Sequence, residues 1–438
     1  MRSQVQTETV HEFVPAGSSI APVQRVTLPN GVTVISKEVH QTPIVSIQLW
    51  MRTGSVNETK ANSGISHFSE HMYFKGTEKY GVGEMDRLIT SWGGRNNAGT
   101  WIDFTFYYVD IPSDHALKGL DILADALLHS TFDPAEIEKE RKVILEEIRR
   151  KEDTPQGKVA LAFQETLFAG SPYGLPVLGL EESVLATTRR TFLDYREAFY
   201  SPDNLVIVVV GDIDADGITE RVRDTFGDLE PIPEAAPRDF ELVAPPKPRI
   251  EVIEKDVQQS YLLQGYLVPA FEHPDLIVLD VMATILGSGR SSRLYRRLVE
   301  ETALCTSVSA GIWAMRVHGA FSLGAVYDPQ NDSKVREALM EEVARLRDVP
   351  LAKDELDKAV TMLTTSFAFQ TETNSDLAET LGYYECISNI EGALSYLDRV
   401  RAVTAEDIQR VAREFLKDDS YVLAIVRPPE GGSKSKTE

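Results

Sequence analysis

The sequence predicts an α+β protein made of two tandem, similar halves, each a mixed sheet with helices packed on it. Three observations carry that expectation. Apolar segments of strand period and of helix period alternate along 438 residues, more than one ordinary core holds. Six prolines (Pro231, Pro233, Pro237, Pro245, Pro246 and Pro248) crowd the middle of the chain, where little regular structure survives that density. The second half also echoes the first. Thr188, Phe199, Asp203 and Val206 recur as Thr404, Phe415, Asp419 and Val422 at an offset of 216, and Glu136-Ile137-Glu138-Lys139 recurs as Glu355-Leu356-Asp357-Lys358 at an offset of 219. Near-equal offsets point to an old duplication. The expected divisions are a flexible segment at 1–22, a first domain at 23–230, a linker at 231–248, a second domain at 249–430 and a disordered polar tail at 431–438.

In the first half, 25–28, the turn Pro29-Asn30-Gly31 and 32–36 read as strand, turn and strand, and 45–51 reads as another strand. A helix starts near 62–66, and a second covers 83–92. Residues 101–109 alternate as a strand, whereas 116–128 and 134–151 have helical spacing. A further helix ends over 194–199, before an apolar strand of buried type at 205–210.

Composition excludes several classes. Sixty-seven acids against 45 bases give a net charge of −22, which disfavours nucleic acid and anionic lipid as partners. No segment reaches about 18 continuous apolar residues, so no membrane span is expected. The two cysteines, Cys305 and Cys386, form neither a disulfide framework nor a short-spaced metal motif and read as buried thiols. The N-terminal stretch carries Glu8 and Glu12 and lacks a signal-peptide apolar run, so a cytoplasmic location is expected, with periplasm or organelle after leader removal as the alternative.

The sharpest local signal is His67-Phe68-Ser69-Glu70-His71. On a helix, His67 and His71 share a face one turn apart and can reach one zinc ion, with Glu70 beside them. A carboxylate next to a metal-activated water suits general-base work. The apolar neighbours Ile65, Phe68 and Met72 tie the helix to a core. In 134–151, Ile137, Ile144 and Ile148 make an apolar stripe that Glu140 and Glu147 interrupt, seven residues apart on one face. Carboxylates there are costly unless paired or bound to metal. Both readings stay open at this stage: a boundary salt bridge, or a third metal ligand.

The run Gly64-Ile65-Ser66-His67-Phe68-Ser69-Glu70-His71-Met72-Tyr73-Phe74-Lys75-Gly76-Thr77 resembles the active-site stretch of the pitrilysin family of inverted-motif zinc peptidases, and the small-subunit branch matches best in length. The resemblance implies a pitrilysin-type fold, Zn²⁺ held by His67, His71 and Glu147, Glu70 as catalytic base, and Glu140 as an acid that orients a ligand or the water. It also implies that the segment from Asn97 to Thr105, with Asn97, Ala98 and Thr100, is an edge strand that pairs with the backbone of a peptide substrate. Ser69 stands where the family usually has an apolar residue.

The second half departs from the family pattern. Where the family has an Arg and, seven residues later, a Tyr, this chain has Val299 and Thr306; local compensation by Arg296 or Arg297 is the lesser alternative to a partner that supplies the pair. The second half has no His-x-x-Glu-His, and Ser366 stands where the duplication would place a Glu. The expectation is therefore one metal site per chain. The function expected is a zinc metalloendopeptidase acting on short or unfolded peptides, in a heterodimer whose homologous, zinc-free subunit supplies the Arg and Tyr, with a homodimer as the alternative. The rival expectations are a non-catalytic scaffold of the same fold and a maturation protease dedicated to one peptide.

Overall fold

The computed structural model describes residues 9–13, 20–232 and 240–429. In chain order the first half holds β1 (Thr9–Phe13), β2 (Val23–Thr27), β3 (Thr33–Glu38), β4 (Ile44–Met51), α1 (Ile65–Tyr73), α2 (Glu84–Ser91), β5 (Arg95–Thr100) and β6 (Thr105–Pro112). It continues with α3 (Ala116–His129), α4 (Pro134–Asp153), α5 (Pro155–Leu167), α6 (Glu181–Ala186), α7 (Arg189–Phe199), β7 (Leu205–Gly211) and α8 (Ala215–Phe226). The second half holds β8 (Arg249–Glu254), β9 (Ser260–Val268), α9 (Leu276–Gly287), a π-helical stretch at Tyr295–Glu301, β10 (Cys305–Trp313) and β11 (Gly319–Tyr327). It ends with α10 (Asp332–Asp348), α11 (Lys353–Gln370), α12 (Asn374–Ile387), α13 (Glu391–Ala402), α14 (Ala405–Phe415) and β12 (Val422–Arg427).

The strands form two sheets, ordered β1-β2-β3-β7-β4-β6-β5 and β10-β11-β9-β12-β8. Five strands correspond one to one: β3-β7-β4-β6-β5 matches β8-β12-β9-β11-β10. In each set the first pair is parallel and the remaining pairs are antiparallel. The repeat read from short sequence echoes is thus a repeat of topology.

The compact units are not the two stretches that a cut at the proline-rich segment separates. One unit comprises the described residues of Met1–Ile148, Leu175–Asp239 and Phe367–Leu397; the other comprises those of Arg149–Gly174, Phe240–Ser366 and Asp398–Glu438. Helix α12 therefore belongs with the first sheet, against β4 and β7, and α5 with the second, against β8, β9 and β12. Strand β4 shows why its helix is needed. Val45, Ile47, Leu49 and Met51 enter the core with α1 and α3, while Ser46, Gln48 and Trp50 point the other way. On that second face Gln48 donates to the Ser375 carbonyl (3.1 Å), and a Cβ on Gly382 would lie 2.3 Å from the Trp50 ring. With both faces covered, β7 (Leu-Val-Ile-Val-Val-Val-Gly) is buried from end to end.

Several sequence expectations change. Residues 9–13, expected to be part of a loose leader, form β1 and pair antiparallel with β2. The strand expected at 101–109 begins only at Thr105, because a tight turn intervenes in which the Trp101 N–H donates to the Phe104 carbonyl (2.8 Å). Residues 240–248 carry no helix or strand; 233–239 and the expected tail at 431–438 lie outside the described residues. Cys305 and Cys386 are free and buried. No helix among the described residues is long and apolar enough to cross a membrane.

Candidate metal centre

Helix α1 is seated at its N-terminus by a buried carboxylate. Glu58 accepts from the Gly64 N–H (2.7 Å) and the Ser66 N–H (2.9 Å), two donors that the first turn of a helix leaves unpaired. Burial pushes the Glu58 carboxyl up to about 7 despite those bonds. The Ser66 hydroxyl meets the Tyr195 hydroxyl at 2.8 Å, and Gly64, at φ +91°, lies against Gly179, itself at φ +88°. A Cβ on either glycine would fall within 2.7 Å of the other's Cα. Ile65, Phe68 and Met72 are fully buried below. The helix is thus fixed in rotation and in position along its axis, and His67 and His71 project together, their ring centroids 4.7 Å apart.

Helix α4 brings the carboxylates. Ile137, Ile144 and Ile148 are buried as its stripe, and Glu140 is buried with them. Arg141, a residue that sequence reasoning missed, locks the helix by donating to the carbonyls of Val184, Leu185 and Thr187 at the end of α6. Glu147 then stands with its Oε2 3.6 Å from His67 Nε2 and 3.8 Å from His71 Nε2. The donor atoms of His67, His71 and Glu147 lie within 4.8 Å of one another.

These separations fit an ion better than direct bonds. Two ligands about 2.0–2.1 Å from a tetrahedral zinc lie about 3.4 Å apart, whereas hydrogen bonds to nitrogen run to about 3.2 Å. Two imidazoles and a carboxylate are also a donor set that zinc accepts. The arrangement therefore fits a zinc ion, with His67, His71 and Glu147 as the residues able to hold it.

Two further contacts complete the site. Glu140 Oε2 sits 3.1 Å from His71 Nδ1, and its Oε1 sits 2.8 Å from the Lys75 ammonium. Burial alone would raise Glu140; the bonds to Lys75 and His71 overcome it and hold the carboxyl below its ordinary value. Glu70 accepts from the Thr100 hydroxyl at 2.5 Å. Burial raises the Glu70 carboxyl above its usual value, against the pull of Thr100 and His71, with the Glu147 charge adding to the rise. A proton acceptor of raised basicity beside three side chains able to hold a metal ion is suited to hydrolysis by activated water.

Strand β5 carries Asn97, Ala98 and Thr100 and is the last strand of its sheet, pairing only with β6 among the described strands. The edge strand is shorter than the segment expected, covering 95–100 and not reaching Thr105. Thr100 turns its side chain to Glu70, so its hydroxyl serves the site rather than a substrate backbone. In the other unit, Val299 lies in the π-helical stretch and Thr306 is exposed on β10. Arg297 is bound to Glu341 and Glu342, and Arg296 is exposed near Glu301. Val299 has no polar side-chain atom, and the Thr306 hydroxyl donates to the Val326 carbonyl (3.2 Å).

Two family models match the chain. The family model described as Insulinase (Peptidase family M16) matches residues 33–181, and the model described as Peptidase M16 inactive domain matches residues 186–363. Among curated proteins, the zinc protease PqqE of Helicobacter pylori is 28% identical over 97% of each chain. The uncharacterized zinc protease YmxG of Bacillus subtilis is 29% identical over 93% of this chain and 98% of its own. The crystal structure of a protease from Helicobacter pylori superposes with a TM-score of 0.87 at 27% identity, covering 93% of this chain and 99% of that one. A peptidase M16 inactive domain from Pseudomonas fluorescens shares the fold, with a TM-score of 0.84 at 22% identity over 93% and 98% of the two chains.

Proposed function

The chain belongs to the insulinase family, peptidase family M16, and from that premise we propose that it is a zinc-dependent endopeptidase subunit acting on short or unfolded peptides. The observation that carries this reading is the convergence of His67, His71 and Glu147 donor atoms within 4.8 Å, with Glu70 held alongside by Thr100. A zinc ion in this triad would supply polarisation of a water molecule and of the scissile carbonyl. Glu70 takes a proton from the attacking water on the oxygen that Thr100 does not occupy and returns it to the leaving amine. Glu140 holds His71 from behind, and the free edge of β5 offers main-chain hydrogen bonds to an extended peptide, with Asn97 and Ala98 lining it.

The missing Arg and Tyr extend the proposal. Val299 has no polar side-chain atom, the Thr306 hydroxyl is engaged by the Val326 carbonyl, and Arg297 is committed to Glu341 and Glu342. A homologous, zinc-free partner subunit would provide those groups. The test is metal content and peptide cleavage of the purified chain, alone and with its co-purifying partner. One zinc per chain, lost in His67→Ala, with cleavage that needs the partner, supports the whole reading. Zinc binding with full activity alone removes the partner. Absence of zinc from a folded chain removes the peptidase and leaves a non-catalytic scaffold. A peptide-library digest then separates a general peptidase from a protease dedicated to one sequence.

A further inference from the structure

His71 is held from behind by Glu140, and Glu140 in turn is held by Lys75. We propose that Lys75 is a positioning residue of the metal centre, acting through Glu140 to fix which nitrogen of His71 carries the proton and where the ring points. This rests on the zinc reading above. Lys75 follows the C-terminus of α1, where its N–H donates to the Met72 carbonyl (3.0 Å) and a cation is favoured by the helix dipole. Its ammonium lies 2.8 Å from Glu140 Oε1, and Glu140 Oε2 faces His71 Nδ1 at 3.1 Å. His71 Nε2 then faces Glu147.

The geometry orders the protons. A carboxylate opposite Nδ1 accepts a hydrogen bond from it, so the ring proton resides on Nδ1 and the Nε2 lone pair points toward His67 and Glu147. Glu140 can do this only while its plane is fixed. One oxygen engaged by a cation fixes it, since a charge-assisted bond is stronger and more directional than a neutral one. Lys75 is the cation that pairs with Glu140 directly. Without that partner, a side chain only 11% exposed keeps an uncompensated charge and turns toward water, away from His71. The plain alternative is a boundary ion pair of little consequence, which the 32% exposure of Lys75 would permit.

The experiment compares the full chain with Lys75→Met and Lys75→Arg. Zinc affinity is measured by competition with a chromophoric chelator, and the His71 tautomer by nitrogen-15 NMR of the zinc-free, histidine-labelled protein. The expected result is a 10–100-fold loss of zinc affinity in Lys75→Met, as for other residues behind a metal ligand. That variant should also lose the single Nδ1–H tautomer of His71, and Lys75→Arg should largely restore both. Equal zinc affinity in Lys75→Met and the parent, or an unchanged tautomer, overturns the proposal. If Lys75→Met fails to fold, a Lys75→Arg protein with a mixed tautomer also overturns it, because an arginine keeps the charge and the bond. A parent chain that binds no zinc refutes the peptidase reading instead, and the tautomer of the zinc-free protein still decides the role of Lys75.

Discussion

The two halves share five strands in the same order and differ in what they bury between sheet and helices. After β4 comes α1, with His67, Glu70 and His71; after β9 comes α9, where an offset of 211 places Val278, Val281 and Met282, all buried. Where α4 has Glu140 and Glu147, an offset of 219 places Ala359 and Ser366 on α11. One copy keeps a cluster of imidazoles and carboxylates that is costly to bury, and the other has apolar or small residues at the corresponding positions. The scaffold does not need the polar cluster, so the cluster's persistence in one half marks it as functional.

The joins between sheet and traded helix differ in the same instructive way. In the first unit a large ring on the strand, Trp50, meets a glycine on the helix, Gly382. In the second unit the ring is on the helix, Phe163, and the glycine on the strand, Gly265, with 2.4 Å between a hypothetical Cβ and the ring. Close packing constrains the sum of volumes and leaves open which side supplies the bulk.

The comparison can be broken most severely at the site. Glu70→Gln should lower peptide cleavage by about 10²–10⁴-fold with zinc content unchanged, measured on the purified chain with and without any co-purifying protein, because it removes the proton carrier and no ligand. Adding a carboxylate to the other half, Ser366→Glu, should recruit no second zinc, since Val278 and Met282 stand where α1 has its histidines. A smaller effect tests the joins. Trp50→Ala should destabilise the protein by about 3–5 kcal/mol in denaturant unfolding, the usual result of emptying a buried ring site.

A pH experiment sharpens the contrast further. Glu58 seats α1 and has its carboxyl raised to about 7, against about 4.3 in an unfolded chain. The folded state therefore holds that proton more tightly, so this group's contribution to stability falls as pH rises from about 4.5 to about 7 and is level above that. The span corresponds to about 3 kcal/mol. In Glu58→Gln that part of the slope should vanish from unfolding curves taken across the interval. The mildest expectation concerns the thiols, one in each unit. Burial pushes Cys305 and Cys386 up to about 12, so both should resist alkylation in the native protein at neutral pH and react once it unfolds.

Much of the site was legible because its signal is local. His67, Glu70 and His71 share one helix, and Glu140 and Glu147 betray themselves by interrupting a stripe of isoleucines. The residues that were missed act through long-range contacts. Glu58 lies seven positions ahead of the helix it seats, Lys75 finds Glu140 across two helices, and Arg141 reaches carbonyls more than forty residues away. Thr100 was legible as part of a strand, yet its hydroxyl's direction toward Glu70 depends on pleat and register. The repeat was visible as offsets. The trading of α5 and α12 was not, because amphipathic spacing tells that a helix packs but not on which sheet.

That trade bears on how such a chain arises. A polypeptide of half this length would expose one face of its sheet and carry a helix with nothing to cover. Two identical copies satisfy each other by swapping arms, the low-cost route to a dimer. Joining the genes end to end makes the swap intramolecular and frees each copy to diverge, one toward chemistry and the other toward a sealed interior. Polypeptides severed between Ile232 and Phe240 should then recover their shape only in each other's company.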